Sequence, residues 1–205
     1  MGTEVDATAS GDGGRIYLVR HGETEWNRIG RWQGITDIPL SDVGRAQARA
    51  LGDALAGHGI DRVYSSHLTR ARETAEIVTS TWELAPPIQI DPRLRERGYG
   101  SFEGLTREEC AARYPGAWDL YLADRRVVPP NAEPQAQVVE RASAALGVIA
   151  AGLRPGARSL VVSHGGTIRS FVHHAVGIVL PPLGNGAIVS LGWKDDRFVL
   201  LDPSG

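Results

Sequence analysis

Two histidines share one local setting, Arg20-His21-Gly22 and Ser163-His164-Gly165, each at the end of an apolar run. An imidazole can attack or shuttle a proton near neutral pH, and a guanidinium is a planar fork that matches phosphate or carboxylate. A further arginine stretch, Leu68-Thr69-Arg70-Ala71-Arg72, follows Ser65-Ser66. Together His21, His164, Arg20 and Arg70 have the composition of a pocket for a dianion. Gly165-Gly166 would let backbone N–H groups approach it closely, at a helix start where negative charge is favoured. Either histidine alone would suit a buried strand end equally well; their repetition argues for chemistry.

Strands must carry these residues to one place. Residues 16–19 and 159–162 are apolar runs with β-branched side chains, and a shorter strand is expected at 62–64. In an open α/β sheet, ligands bind beyond the carboxyl ends of the strands. Ser41 is placed to cap a helix with Val43, Leu51 and Leu55 inward, and another helix is expected from about Thr69 to Trp82. A strand at 88–90 precedes a glycine-bearing loop over residues 93–104, and residues 23–39 also read as a loop. Thr106 with Glu109 forms a capping box for a helix that Pro115 ends, and Trp118 to Leu122 suggest a further short helix. A helix over 138–153, with Val139, Ala142 and Leu146 inward, precedes the second histidine strand. A helix over 167–176 and a hairpin of 187–193 with 197–201 follow. This alternation predicts an α/β fold with a mostly parallel sheet covered on both faces.

The sequence resembles the histidine phosphatase superfamily, which also contains cofactor-dependent phosphoglycerate mutases. The resemblance rests on residues 18–27, Arg31-Trp32-Gln33-Gly34-Ile35-Thr36-Asp37, Leu40-Ser41-Asp42-Val43-Gly44, residues 64–75, residues 94–104 and Ser163-His164-Gly165. It implies a phosphoglycerate mutase-like three-layer α/β/α fold. It also implies His21 as the nucleophile that forms a phosphohistidine, with Arg20, Arg70 and His164 on the non-bridging oxygens and Glu96 as general acid. Asn27, Gln33, Gly34, Arg97, Tyr99 and Gly165 complete the expected phosphate and substrate contacts. Without the resemblance, Glu96 would be read as a surface carboxylate paired with Arg95 or Arg97.

Within the family two activities compete. The interval from Glu96 to His164 is 164 − 96 = 68 residues, short for a mutase, which favours a phosphatase whose phosphoenzyme meets water. The alternative is a mutase dependent on 2,3-bisphosphoglycerate. It draws on the Glu96-Arg97-Gly98-Tyr99-Gly100 stretch and on Arg107, Arg125 and Arg126, near where mutases carry basic residues for a carboxylate. Asn131-Ala132-Glu133-Pro134 departs from the Gly-Gly-Glu-Ser usual in the phosphatases. A phosphate-binding module without turnover is disfavoured because nucleophile and acid are both present. No cofactor is expected outside the mutase alternative, and no metal: no His-x-x-x-His or clustered carboxylate pattern accompanies the histidines. Trp118 and Tyr121 are candidates for a substrate wall, His67 for a residue at the pocket mouth, and Arg72 is expected to face outward.

The chain has 205 residues, net charge −2 and pI near 6.3. That suits one domain and implies no general attraction to nucleic acid or an anionic membrane. The single cysteine, Cys110, excludes an intrachain disulfide and reads as a packing residue. The lone lysine, Lys194, sits beside an expected turn. P-loop and Gly-x-Ser-x-Gly patterns are absent. Residues 1–14 are small, polar and glycine-rich, expected as a disordered leader to a single catalytic domain over 15–205. With no apolar run of spanning length, a cytoplasmic enzyme acting on a small phosphorylated metabolite is expected. Homodimers are common in the family it resembles.

Overall fold

The computed structural model describes residues 13–124 and 127–201. Most of the expected leader, and Arg125 and Arg126, lie outside the described residues. Among the described residues six strands form one sheet in the order β3-β2-β4-β1-β5-β6. These are β1 (Gly14–Arg20), β2 (Arg62–Ser65), β3 (Ile88–Ile90), β4 (Arg158–Ser163), β5 (Ile188–Lys194) and β6 (Arg197–Leu200). The first four are mutually parallel, while β5 and β6 form the expected antiparallel hairpin against β1.

Among the described residues seven α-helices accompany the sheet: α1 (Glu25–Arg28), α2 (Asp42–Leu55), α3 (Thr69–Ser80), α4 (Arg107–Arg113), α5 (Pro115–Ala123), α6 (Gln135–Ala151) and α7 (Gly165–Val176). Strand side chains alternate between two cores, as the period of two requires. Tyr17, Val19, Leu160 and Val162 face α2 and α3. Ile16, Leu18 and Val161 face α6 and α7. Both faces are buried, which accounts for the continuous apolar runs. The result is a three-layer α/β/α arrangement. A third cluster, Phe102, Leu105, Cys110, Trp118 and Tyr121, packs with Trp32 and Tyr99 beside the site, and Cys110 is a packing residue there.

Some local expectations need correction. The segment after β1 contains the short helix α1, capped reciprocally by Thr24 and Asn27. Val43 is 53% exposed; the inward face of α2 starts instead at Gly44, whose missing side chain admits the Glu23 backbone. In α6 the buried residue is Val138, with Val139 only half-buried, and the helix begins at Gln135. Pro115 opens α5 as well as closing α4, since proline is tolerated in a first helical turn. Trp118 and Tyr121 belong to the aromatic cluster and leave the substrate wall to other residues.

Candidate active site

The register of β1 against β4 brings the two histidines together. Arg20 pairs with Ser163, so the next residue of each strand, His21 and His164, emerges at the same sheet edge. Their ring centroids lie 5.1 Å apart. His21 is 3% exposed, and its Nδ1 lies 2.7 Å from the Gly22 carbonyl oxygen. A carbonyl only accepts, so Nδ1 carries the proton and Nε2 keeps its lone pair. Burial, then the charges of Arg70 and Arg20, hold the His21 pKa well below the ordinary imidazole value. His164 is fully buried, and neither of its nitrogens has a hydrogen-bond partner among the described residues. Burial and Arg70 push its pKa down as well.

Two guanidinium groups converge on this pair. Arg70, in the first turn of α3, is 0% exposed, and its Nη1 and Nη2 donate to the carbonyls of Thr36 (2.9 Å) and Gly34 (2.7 Å). Arg20 donates through Nη1 to the carbonyl of Leu183. Both Nε groups are buried without a partner among the described residues. Burial lowers both arginine pKa values, opposed by the charge of Glu96, yet arginine stays ionised. Unbonded, desolvated N–H donors around an unprotonated imidazole are the arrangement an anion would complete.

Glu96 follows the turn after β3 and is 9% exposed. Its Oε1 accepts from the N–H groups of Arg97 (2.8 Å) and Thr167 (3.1 Å), and Oε2 from Gly166 N–H (3.0 Å). The carboxylate thus sits at the N-terminus of α7, where helix donors need partners. Gly166 permits this approach: a Cβ there would fall 2.6 Å from Glu96 Oε1. The backbone beneath is held by Arg141, whose Nη groups reach the carbonyls of Arg95 (2.6 Å) and Glu96 (3.2 Å). Glu133 binds both Arg95 and Arg141; although burial raises its pKa, those hydrogen bonds prevail and bring it to about 2.

Arg20, His21, Asn27, Gln33, Gly34, Arg70, Glu96, Tyr99 and Gly165 all line one cavity of about 590 Å³. Arg107, Arg169, Trp26, Trp32 and Leu183 form its outer wall. Burial, followed by the charge of Glu96, raises the Tyr99 pKa and keeps its phenol neutral. Arg97 is a correction to the expected substrate contacts. Its Nε donates to the Glu133 carbonyl (2.8 Å) and Nη1 to Gln135 (3.3 Å), so it braces the Glu96 loop and does not line the cavity. His67 is exposed and off the cavity wall, and Arg72 faces outward beside Glu76. Among the described residues no three His, Cys, Asp or Glu side chains converge to hold a metal, and no helix is long and apolar enough to cross a membrane.

Two contributors have roles that the sequence reading did not assign: Glu103, there only a competitor of Glu96 for the acid, and Asn185. Glu103 accepts from Ile35 N–H, Thr36 N–H, Thr36 Oγ1 and Tyr99 N–H at 2.7–3.1 Å, joining the loops on either side of the cavity. It lies in a stretch that the sequence marks, but a carboxylate that organises backbone carries no spacing rule. Asn185 donates to the His21 carbonyl and to Asn27 Oδ1, both at 3.1 Å. It stands between two glycines in an irregular connection, with nothing in its neighbourhood to single it out.

This arrangement has close counterparts among known proteins. The metal-independent phosphoserine phosphatase of Arabidopsis thaliana is 38% identical over 76% of this chain and 66% of its own length. The glucosyl-3-phosphoglycerate phosphatase of Mycolicibacterium vanbaalenii is 34% identical over 86% of this chain and 83% of its own. The solved structure of a mycobacterial glucosyl-3-phosphoglycerate phosphatase complexed with VO3 superposes with a TM-score of 0.80 at 30% identity, covering 91% of this chain and 96% of that one. The model of the histidine phosphatase superfamily (branch 1) matches residues 16–203, and the chain belongs to that family.

Proposed function

We propose that the protein is a metal-independent phosphomonoesterase that works through a phosphohistidine on His21. One observation carries this reading. The Nδ1–H of His21 is committed to the Gly22 carbonyl, which leaves Nε2 as a nucleophile amid unbonded donors of Arg20, Arg70 and His164. In the first step the substrate monoanion passes its proton to the Glu96 carboxylate, Nε2 bonds to phosphorus, the ester P–O bond breaks, and the protonated Glu96 delivers that proton to the leaving oxygen. In the second, water attacks the phosphohistidine, its proton passes to Glu96, and the P–N bond breaks to release phosphate. Arg20 and Arg70 supply the fixed positive charge that a metal would otherwise provide around the non-bridging oxygens. Asn27 and Gly165 line the same cavity and would add donors there.

The outer wall suggests the substrate. The named relatives act on phosphoserine and on glucosyl-3-phosphoglycerate, and Arg107 and Arg169 line the cavity here. A small phosphorylated hydroxy or amino acid, free or glycosylated, suits this wall. The same two arginines favour a second reading, a phosphoglycerate mutase primed by 2,3-bisphosphoglycerate. Hydrolysis is preferred because only 68 residues (164 − 96) separate Glu96 from His164, which leaves little chain for a water-tight lid. A cytoplasmic enzyme, acting alone or as a homodimer, is the setting that fits such a substrate.

A panel of phosphomonoesters and phosphoglycerates, assayed with a chelator and with or without 2,3-bisphosphoglycerate, tests this proposal. Chelator-resistant phosphate release from several esters is expected, with little exchange between 3- and 2-phosphoglycerate. Primer-dependent exchange that outruns hydrolysis would establish the mutase, and loss of activity with the chelator would overturn metal independence.

A further inference from the structure

We infer that Asn185 is a positioning residue that, together with Thr24, sets the polarity of Asn27, so that the Asn27 amide donates into the phosphate site. This rests on the proposed role of the cavity as a phosphoryl pocket. The acceptors and donors around Asn185 cannot exchange roles. The backbone carbonyl of His21 can only accept, so the Asn185 group that faces it at 3.1 Å must be the NH2. An amide NH2 has two hydrogens, and the second points at Asn27, also at 3.1 Å. The Asn27 atom there must therefore be the oxygen. The N–H of Thr24 meets the same oxygen at 3.1 Å and demands an acceptor too. With Oδ1 committed to Asn185 and Thr24, the Nδ2 of Asn27 is the end left for the cavity, which Asn27 lines. A flipped amide would set N–H against N–H at both contacts and turn an acceptor toward an anion.

The fold makes Asn185 well placed for this. It lies in the irregular connection between α7 and β5, which is fastened to the site at several points. Gly186 N–H donates to the Arg20 carbonyl, Arg20 N–H to the Ala187 carbonyl, and Arg20 Nη1 to the Leu183 carbonyl. Arg169 Nε holds the Leu180 carbonyl of the same connection at 3.0 Å. One connection thus touches the arginine, the nucleophile's backbone and the amide of a single phosphate pocket. Asn185 is the member whose side chain relays orientation to another side chain.

Asn185→Asp is the informative change, because it keeps the volume and replaces both donors with acceptors. The introduced carboxylate would face the His21 carbonyl and Asn27 Oδ1, which forces the Asn27 amide to turn and withdraws its donor. Asn185→Ala removes one partner of Oδ1 but leaves Thr24 to hold it. The expected order is a loss in kcat/KM of about 5-fold for Asn185→Ala and about 30-fold or more for Asn185→Asp, with orthovanadate inhibition weakened in parallel. In an Asn27→Ala background, either change should then cost less than about 3-fold, since the amide it orients is gone.

The cycle separates the ways of being wrong. Losses that multiply fully in the Asn27→Ala background would mean that Asn185 acts through charge or folding, and would overturn the inference. So would equal losses for the Ala and Asp variants. If Asn185→Asp fails to fold, as thermal unfolding would show, the Asn185→Ala cycle with Asn27→Ala decides by the same criterion. An unaffected Asn27→Ala enzyme, or a wild type that leaves phosphomonoesters intact, would instead strike at the phosphoryl-pocket reading itself.

Discussion

Replacing Arg70 tests how much of the work a single buried cation does. Its side chain is fully buried, two of its nitrogens hold the Gly34 and Thr36 carbonyls, and its Nε faces no protein acceptor among the described residues. Arg70→Ala removes a forked donor from a buried site that, in the proposed mechanism, stabilises a phosphoryl transition state. The expected cost is about 2–4 kcal/mol, or about 30- to 1,000-fold in kcat/KM. The loop it touches should survive, because Glu103 binds Ile35 and Thr36 independently. Arg70→Lys should recover little, since a point charge cannot span both carbonyls and still present a donor. Arg72→Ala is the control: its exposed pairing with Glu76 at 3.6 Å is worth about 0–1 kcal/mol. Steady-state kinetics on one alkyl phosphate, with circular dichroism melts for each variant, give the comparison. Equal losses for Arg70→Ala and Arg72→Ala would refute the reasoning.

Glu96→Gln should slow alkyl phosphates severely and p-nitrophenyl phosphate only slightly, because nitrophenolate leaves without a proton; equal losses would remove Glu96 from the acid role. His21 and His164 both have folded-state pKa values held below their unfolded values, so the unfolded chain binds more protons as pH falls below about 6.5. Stability measured in denaturant should therefore fall from pH 7 toward pH 5, and inorganic phosphate should lessen the fall by favouring imidazolium. A flat profile in the His21→Ala/His164→Ala double variant, against a sloping wild type, would tie the slope to this pair. Glu133→Gln removes the charge that Arg95 and Arg141 share, and is expected to cost about 2–3 kcal/mol of stability. Its activity should fall too, since the same arginines hold the Glu96 backbone, and an unchanged melting temperature would count against that clamp.

The sequence carried the sheet and the meeting of the two histidines at one sheet edge because both are written in local pattern. Apolar runs that end in Arg20-His21-Gly22 and Ser163-His164-Gly165 announce strands and their carboxyl ends together. What pattern could not convey was which partner each polar group would choose. Arg97 sits beside Glu96 in the chain, yet its guanidinium turns to the Glu133 carbonyl and Gln135 across 36 and 38 residues. Trp118 and Tyr121 had the right chemistry for a substrate wall but serve the packing of Phe102 and Trp32. Gly44 replaces Val43 on the inward face of α2 because of a backbone approach that no hydrophobic period encodes. Asn185, 158 residues from Asn27, is defined only by the contact itself.

The central claim is that His21 Nε2 attacks phosphorus, and trapping the intermediate tests it most directly. Enzyme mixed with a phosphorus-labelled ester, stopped within milliseconds under denaturing conditions and mapped by peptide, should carry base-stable, acid-labile phosphate on His21. His21→Ala should show none. Label on His164 instead, or hydrolysis at full rate by His21→Ala, would contradict the assignment of His21 as the nucleophile.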